Sequence, residues 1–170
     1  MLEAAIFVVF PFCMLYAAIS DILSMTIANR VSILLVASFA IIAPFTGMEW
    51  SLYGMHFVAG LAVLAVTFGL FAVGGMGGGD AKLLASTAVW IGFNLVLVEY
   101  LLLAAIVGGV MGVLIIAYRK SPLSALTGTN MFLRHFADDK AGVPYGVALG
   151  IGGLMVFPKT ALMVWALSQI

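Results

Sequence analysis

Apolar residues run along this chain in six long blocks, which short polar or glycine-rich segments separate. A helix needs about 20 mainly apolar residues to cross the hydrocarbon core of a bilayer, within a range of about 17–25. Backbone groups exposed to lipid must be hydrogen-bonded, which excludes open strands. The pattern therefore predicts an all-α, polytopic transmembrane helical bundle of about six spans, at residues 4–20, 31–45, 52–73, 83–98, 100–118 and 144–167.

Two of these boundaries depend on single polar or proline residues. The stretch from Leu83 to Tyr118 is interrupted only by Asn94 and Glu99. As one helix it would be about 54 Å long, against a hydrocarbon core of about 30 Å. We therefore expect two helices joined by a tight turn near residues 94–99. The last span contains Pro158, which predicts a kink or an early end.

Composition supports a membrane protein with a single domain over its 170 residues. Hydrophobic residues make up 65% of the chain and charged residues 8%, whereas soluble domains have roughly 45–50% and about 25%. Basic and acidic residues balance, so the net charge gives no indication of nucleic-acid binding. The one cysteine, Cys13, excludes an internal disulfide, and no zinc-binding pattern is present. We expect neither a metal nor another cofactor.

The positions of the charges predict which connections face the cytoplasm. The second and fourth connections hold Glu49 and Glu99 and no basic residue, and the basic residues of the odd-numbered connections are Arg30, Lys82, Arg119, Lys120, Arg134 and Lys140. By the positive-inside rule, the odd-numbered connections are cytoplasmic and both termini lie outside. The longest connection is the cytoplasmic loop 120–142. Its residues 131–136 either lie along the membrane surface or form an ordinary loop.

Two acidic residues are candidates for chemistry, because the others lie in loops or at helix ends outside. Asp21 ends the first span and Asp80 begins the fourth, so the predicted topology places both at the cytoplasmic edge. Two carboxyl groups about 3 Å apart share one proton. One can then take a proton from water while the other donates to a carbonyl oxygen, which hydrolyses a peptide bond. The alternative is that Asp80 is a helix N-cap and Asp21 caps a short extension.

Glycines surround the second of these aspartates. Residues 74–79 read Gly-Gly-Met-Gly-Gly-Gly, and Gly77, Gly78 and Gly79 directly precede Asp80. A phosphate-binding loop would need Gly-Lys-Ser/Thr, and an acidic residue there would repel phosphate. We expect the glycines to leave room for a peptide backbone beside Asp80. Lys82 lies two positions further on, points elsewhere on the helix, and is expected to anchor the topology.

The helix dipole predicts which aspartate carries the charge. Asp80 lies at a helix N-terminus, where the dipole favours a negative charge, and Asp21 lies at a helix C-terminal end, where the dipole opposes it. We therefore expect Asp80 to be the ionised base.

Three segments resemble the type IV prepilin peptidases, which are membrane aspartyl proteases with a Gly-x-Gly-Asp motif. Residues 77–85, Gly-Gly-Gly-Asp-Ala-Lys-Leu-Leu-Ala, resemble in particular the short Flp, or tight-adherence, branch. Residues 21–30, Asp-Ile-Leu-Ser-Met-Thr-Ile-Ala-Asn-Arg, are similar to the first motif of the family, an Asp followed by Ile-Pro-Asn, with Ala28 in place of the proline. Residues 143–150, Val-Pro-Tyr-Gly-Val-Ala-Leu-Gly, are similar to its third block.

The resemblance implies an aspartic endopeptidase that cleaves a prepilin leader after a glycine, at the inner face of the bacterial cytoplasmic membrane. The catalytic aspartates of the family map onto Asp21 and Asp80. The implied substrate has a short basic leader and a hydrophobic helix, and the lipid bilayer and the pilus assembly machinery are further expected partners. Long members that also methylate the new N-terminus carry an N-terminal region with paired cysteines. This chain lacks it, so we expect no methyltransferase activity.

Other residues are expected to shape the site. Pro144 and Gly146 are expected to set the approach of the last span. Asn29 either holds the Asp21 loop through a side-chain hydrogen bond or ends a turn. Tyr145 either touches the substrate or anchors the chain at the membrane interface. The Gly-x-x-x-Gly patterns at 108–112 and 146–150 predict close approach of helices.

Three other functions remain open from the sequence. A proton-coupled transporter or channel would use ionisable residues inside the membrane, but no acidic residue lies in mid-span. A non-catalytic pilus-assembly subunit would share the fold, and replacing the two aspartates would leave pilin maturation intact. An intramembrane protease acting on other substrates would use the same chemistry.

Overall fold

The computed structural model describes residues 1–122, 124, 136, 138 and 142–170. Within these residues every regular element is helical: α1 (Leu2–Ser24), α2 (Asn29–Ile42), α3 (Trp50–Ala72), α4 (Gly78–Ile91), α5 (Leu95–Arg119), α6 (Tyr145–Val156) and α7 (Ala161–Leu167). Two 3-10 helical turns, Ala43–Thr46 and Phe157–Lys159, extend α2 and α6. The predicted all-α class is confirmed. Most of the predicted cytoplasmic loop 120–142, with its segment 131–135, lies outside the described residues.

Four helical segments are long and apolar enough to cross a membrane: Leu2–Ser24, Asn29–Thr46, Trp50–Ala72 and Leu95–Arg119. A fifth candidate is the broken pair Tyr145–Lys159 and Ala161–Leu167, which is bent by 49°. The bend follows Pro158, as its position in the last span predicts. The described residues therefore contain four or five candidate spans. The arrangement of six spans with both termini outside stays a prediction.

The predicted fourth and fifth spans, at residues 83–98 and 100–118, have the wrong boundaries. Helix α4 has 14 residues, so it is only about 21 Å long and shorter than the hydrocarbon core. It ends where Gly92 adopts a left-handed φ of 84°. Asn94 then accepts hydrogen bonds from two backbone N–H groups in the first turn of α5. The break therefore lies before residue 95, and Glu99 belongs to α5.

Helix α4 lies in the interior of the bundle. Ten of its 14 residues are buried, and α2, α3 and α6 pack around it. Two polar contacts hold its C-terminal end: Trp90 Nε1 donates to the Leu35 carbonyl over 2.7 Å, and His56 Nδ1 lies 2.7 Å from the Val89 carbonyl oxygen. Because protein surrounds most of α4, the position of its first turn, which contains Asp80, is set by tertiary packing.

Helix α6 packs closely on α1 through small residues. A Cβ at Gly150 would lie 3.0 Å from the carbonyl oxygen of Met14, and one at Gly153 would lie 2.9 Å from its Sδ. The packing role predicted for the pattern at 146–150 is confirmed. In the pattern at 108–112 only Gly108 is closely packed, since the nearest atom to a Cβ at Gly112 would be 3.9 Å away.

Contacts among helix ends define the two ends of the bundle. The end of α1 meets the start of α6, and the start of α4 meets the end of α3 and the start of α2. At the opposite end, Lys159 pairs with Glu99 of α5 at 2.6 Å. Lys159 lies outside the basic connections, and this partner accounts for its position.

Candidate active site

Asp21 lies in the last turn of α1 and is only 5% exposed. Its Oδ2 accepts a hydrogen bond of 2.7 Å from the backbone N–H of Gly146, in the first turn of α6. N–H groups in a first turn have no partner within their own helix, and the helix dipole adds to their attraction for a carboxylate. Residues 125 positions apart in the sequence thus meet through one buried contact.

Asp80 lies in the first turn of α4, outside the four long candidate spans. Its carboxyl group turns back toward Gly77, where a Cβ would lie 2.7 Å from Oδ2. Burial and, secondly, the Asp21 carboxylate raise the pKa of Asp80 from 3.8 to about 7, against the lowering effect of a hydrogen bond from the Gly77 backbone. The two carboxyl groups are therefore close enough for one charge to affect the other.

These contacts point away from the expectation that Asp80 is the ionised base, which stays a prediction. That expectation considered only the helix to which each aspartate belongs. In the structure, Asp21 receives an N–H donor from the start of a different helix, α6. For Asp80, burial and the neighbouring charge oppose ionisation. Each carboxyl group receives a backbone N–H donor, from Gly146 and from Gly77, and the raised pKa of Asp80 favours Asp80 as the member that holds the shared proton.

Both aspartates line one cavity of about 480 Å³. Its remaining wall comes from the end of α1, the α3–α4 loop and the start of α6, and consists of Met25, Gly74, Gly75, Met76, Gly77, Gly142, Val143 and Tyr145. The structure thus brings the two predicted aspartates together at one end of the bundle. It adds two methionines and Val143, which the sequence pattern did not identify.

The three glycines before Asp80 have different surroundings. Gly77 faces the cavity beside the carboxyl group. A Cβ at Gly78 would lie 3.3 Å from the ring of Phe71, and one at Gly79 would lie 3.3 Å from Cβ of Ile27. Gly77 therefore leaves space for the Asp80 carboxyl group at the cavity wall, and the protein itself fills the space beside the other two. Room for a peptide backbone there stays a prediction.

Ile27 contacts both sides of the site and was missed in the sequence. It lies between Gly79 of α4 and Gly146 of α6, where a Cβ would be 2.8 Å from Ile27 Cδ1. Met25 turns the chain ahead of it with a left-handed φ of 51°. The glycines at 79 and 146 therefore allow the α1–α2 loop to pack beside Asp21. The available signal was a branched apolar residue within a short linker.

Asn29 and Lys82 contact each other beside the site. Asn29 begins α2, and its Oδ1 accepts a hydrogen bond of 3.0 Å from Lys82 Nζ. Lys82 points away from Asp80, as its helix position predicts, and links α4 to α2. The side chain of Asn29 therefore links α2 to α4.

Pro144 and Tyr145 form the start of α6. Pro144 is the N-cap residue, with φ of −70°, and is buried. The half-buried Tyr145 ring lies in a recess over Gly108, where a Cβ would collide with it, and lines the cavity. Its position favours contact with a ligand over a role as an interfacial anchor. Gly146 follows and supplies the donor to Asp21.

Comparison with known families identifies the family of the chain. Residues 8–115, more than half of the chain, match the type IV leader peptidase family. The matched range includes both aspartates and ends before the third block at 143–150. No curated protein and no solved structure matches the chain. The chain therefore belongs to the type IV leader peptidase family, whose members are membrane aspartic hydrolases that act on prepilins.

Proposed function

We propose that this chain is the leader peptidase of Flp-like type IV prepilins and that Asp21 and Asp80 are its catalytic pair. The observation that carries the proposal is the meeting of these two carboxyl groups at one cavity. Each receives a backbone N–H donor, and burial together with the Asp21 charge raises the pKa of Asp80 to about 7. A pair that holds one proton is suited to hydrolysis of an amide by general acid and base.

The proposed reaction adds one water molecule across the peptide bond. Asp21 takes a proton from the water, whose oxygen attacks the carbonyl carbon, while Asp80 donates its proton to the carbonyl oxygen. The tetrahedral intermediate then collapses and the carbon–nitrogen bond breaks. The nitrogen receives the proton from Asp21, and a hydroxyl proton of the intermediate returns to Asp80, which restores the starting pair. The products are a leader with a new carboxyl group and a mature protein with a new amino group.

Charge placement supports a cytoplasmic position for the cavity. Arg30 lies in the first turn of α2 and Lys82 near the start of α4, and Arg119 ends α5 next to Gly142 of the cavity wall. On the positive-inside rule, we propose that this end of the bundle faces the cytoplasm. Cleavage would then occur at the inner face of the bacterial cytoplasmic membrane, where a basic leader lies while its apolar helix enters the lipid.

The same observations weigh against the alternatives. In the described helices the acidic residues lie near helix ends, which does not suit a path for ions across the membrane. A non-catalytic assembly subunit would not require two carboxyl groups at one cavity. We propose hydrolysis without methyl transfer, because the chain has no paired cysteines and Cys13 is buried. The pilus assembly machinery is a proposed partner.

Co-expression with a tagged prepilin tests the proposal. The wild-type chain is expected to shorten the prepilin, and N-terminal sequencing of the product should place the cut after a glycine. Asp21→Asn and Asp80→Asn are expected to abolish the shortening at equal levels in the membrane. Glu99→Gln, which changes an exposed carboxylate at the other end of the bundle, is the control and should cleave normally. Processing by both Asp→Asn variants at the wild-type rate would exclude the proposed pair.

A further inference from the structure

The structure leaves one side of α4 open between α3 and α5. Helix α3 packs on α4 and helix α5 packs on α6, but α3 and α5 form no extended interface with each other. A cleft of about 290 Å³ lies between them, and we call it the α3–α5 cleft. Its walls include Val63, Val66, Thr67, Leu84, Leu97 and Leu101. The one hydroxyl among these, on Thr67, already donates to the Val63 carbonyl over 2.8 Å, so the cleft offers apolar contacts.

Two walls of the α3–α5 cleft lead to the candidate active site. On α4, Leu84 follows Asp80 by four residues, so the two lie on the same face about 6 Å apart along the axis. On α5, Gly108 follows Leu101 by seven residues and lies on the same stripe. Gly108 holds the ring of Tyr145, which lines the site cavity. An apolar helix in the cleft would therefore have one end beside Asp80.

A larger groove of about 470 Å³ between α2 and α3 does not lead to the site. Its wall on α4 includes Lys82 and Val89, on the face opposite Asp80, because residues two positions apart are about 200° apart around a helix. A peptide in this groove could not reach Asp80 across the start of α4, because Phe71 packs against Gly78 and Ile27 packs against Gly79. Position relative to Asp80, and not size, distinguishes the two grooves.

We propose that the α3–α5 cleft binds the apolar helix of the substrate and delivers the adjoining peptide bond to Asp80. This inference rests on the proposed function, since it takes the substrate to be a prepilin whose apolar helix lies on the membrane side of the cut. Such a substrate needs an apolar surface that ends at the carboxyl groups, and the α3–α5 cleft has that form. Recognition then depends on the membrane helix as well as on the leader.

A matched pair of substitutions on α3 tests the cleft. Val66 is 67% exposed and lines the α3–α5 cleft, whereas Leu61 is 66% exposed and lines the groove between α2 and α3. The assay is cleavage of a full-length prepilin by the purified chain in proteoliposomes. Val66→Trp is expected to raise KM by about tenfold while kcat changes little, which is the pattern of lost substrate binding. Leu61→Trp should leave both constants near the wild-type values.

Disulfide cross-linking gives a second readout that does not depend on a bulky substitution. Cysteine replaces Val66 or Leu61 in a chain that carries Cys13→Ser and Asp80→Asn, and the prepilin carries one cysteine in its apolar helix. A cross-link at position 66 and none at position 61 is expected. A wild-type chain that cleaves the prepilin, together with cross-links at position 61 or with no effect of Val66→Trp, would overturn the cleft and leave the proposed function intact. A wild-type chain that does not cleave would overturn the proposed function itself.

Discussion

The backbone N–H of Gly146 donates a hydrogen bond of 2.7 Å to Oδ2 of Asp21. The same glycine leaves no space for a side chain, because a Cβ would lie 2.9 Å from Oδ2 and 2.8 Å from Cδ1 of Ile27. The donor comes from the segment 143–150, which lies outside the range matched by the family. Helix α6 thus sets the surroundings of an aspartate in α1.

Replacing Gly146 tests this contact. Gly146→Ala is expected to lower kcat/KM by about ten- to a hundredfold, because the new methyl group displaces the Asp21 carboxyl group. Initial rates of prepilin cleavage at equal enzyme concentration measure the effect. Gly54→Ala is the control, since nothing lies within 4 Å of a Cβ there. A Gly146→Ala enzyme that cleaves as fast as the wild type would show that the contact does not affect the reaction.

The raised pKa of Asp80 predicts how the rate depends on pH. Asp80 must hold the proton that it gives to the carbonyl oxygen, and its pKa of about 7 means that the proton is present below that pH and lost above it. kcat/KM is therefore expected to fall about tenfold for each pH unit above about 7. Initial rates in proteoliposomes between about pH 5 and pH 9 measure the profile. Thermal unfolding over the same range is the control, and a rate that stays constant to the upper limit would contradict the role of Asp80 as acid.

The packing of Tyr145 on Gly108 predicts coupling between two substitutions. Gly108→Ala pushes the ring from its recess and Tyr145→Ala removes it, so each is expected to reduce kcat/KM by about tenfold. The double variant should be no worse than the poorer single variant, because both changes remove one contact. Gly109→Ala, at a position with nothing within 4 Å, should be silent. Losses that multiply in the double variant would refute the coupling.

Lys82 is expected to support the fold and not the chemistry. Its Nζ bonds Asn29 Oδ1, on the side of α4 away from Asp80. Lys82→Met should leave kcat/KM within about threefold of wild type and lower stability by less than about 1 kcal/mol, as expected for an exposed hydrogen bond. Asn29→Ala should have the same effect on thermal stability. A large loss of kcat for Lys82→Met in a folded enzyme would instead assign Lys82 to the reaction.

Local sequence patterns predicted the all-helical class and the positions of the first three long helices, because long apolar runs have one stable form in lipid. They did not predict the ends of α4. The predicted span 83–98 extended the helix through Gly92 and Asn94, whereas the left-handed glycine and the N-cap asparagine end one helix and begin the next. Asn94 was recognised as polar, but its capping hydrogen bonds depend on the backbone around it.

In the candidate site, too, local sequence predicted some features and tertiary contacts set the others. The two aspartates could be identified from their positions at the ends of apolar runs and from the glycines before Asp80. The hydrogen bond that favours a negative charge on Asp21 could not be predicted, because its donor belongs to a helix more than a hundred residues away in the sequence. Ile27 was missed for a related reason: its two glycine contacts exist only once α4 and α6 are packed.

A double-mutant cycle on the two aspartates tests the central claim most directly. The measurement is kcat/KM for prepilin cleavage by the purified wild type, by Asp21→Asn, by Asp80→Asn and by the double variant. If the two carboxyl groups act as one pair, each single variant loses at least about a thousandfold and the double variant loses no more than either. A single variant that keeps the wild-type rate, or losses that multiply in the double variant, would contradict a shared catalytic role.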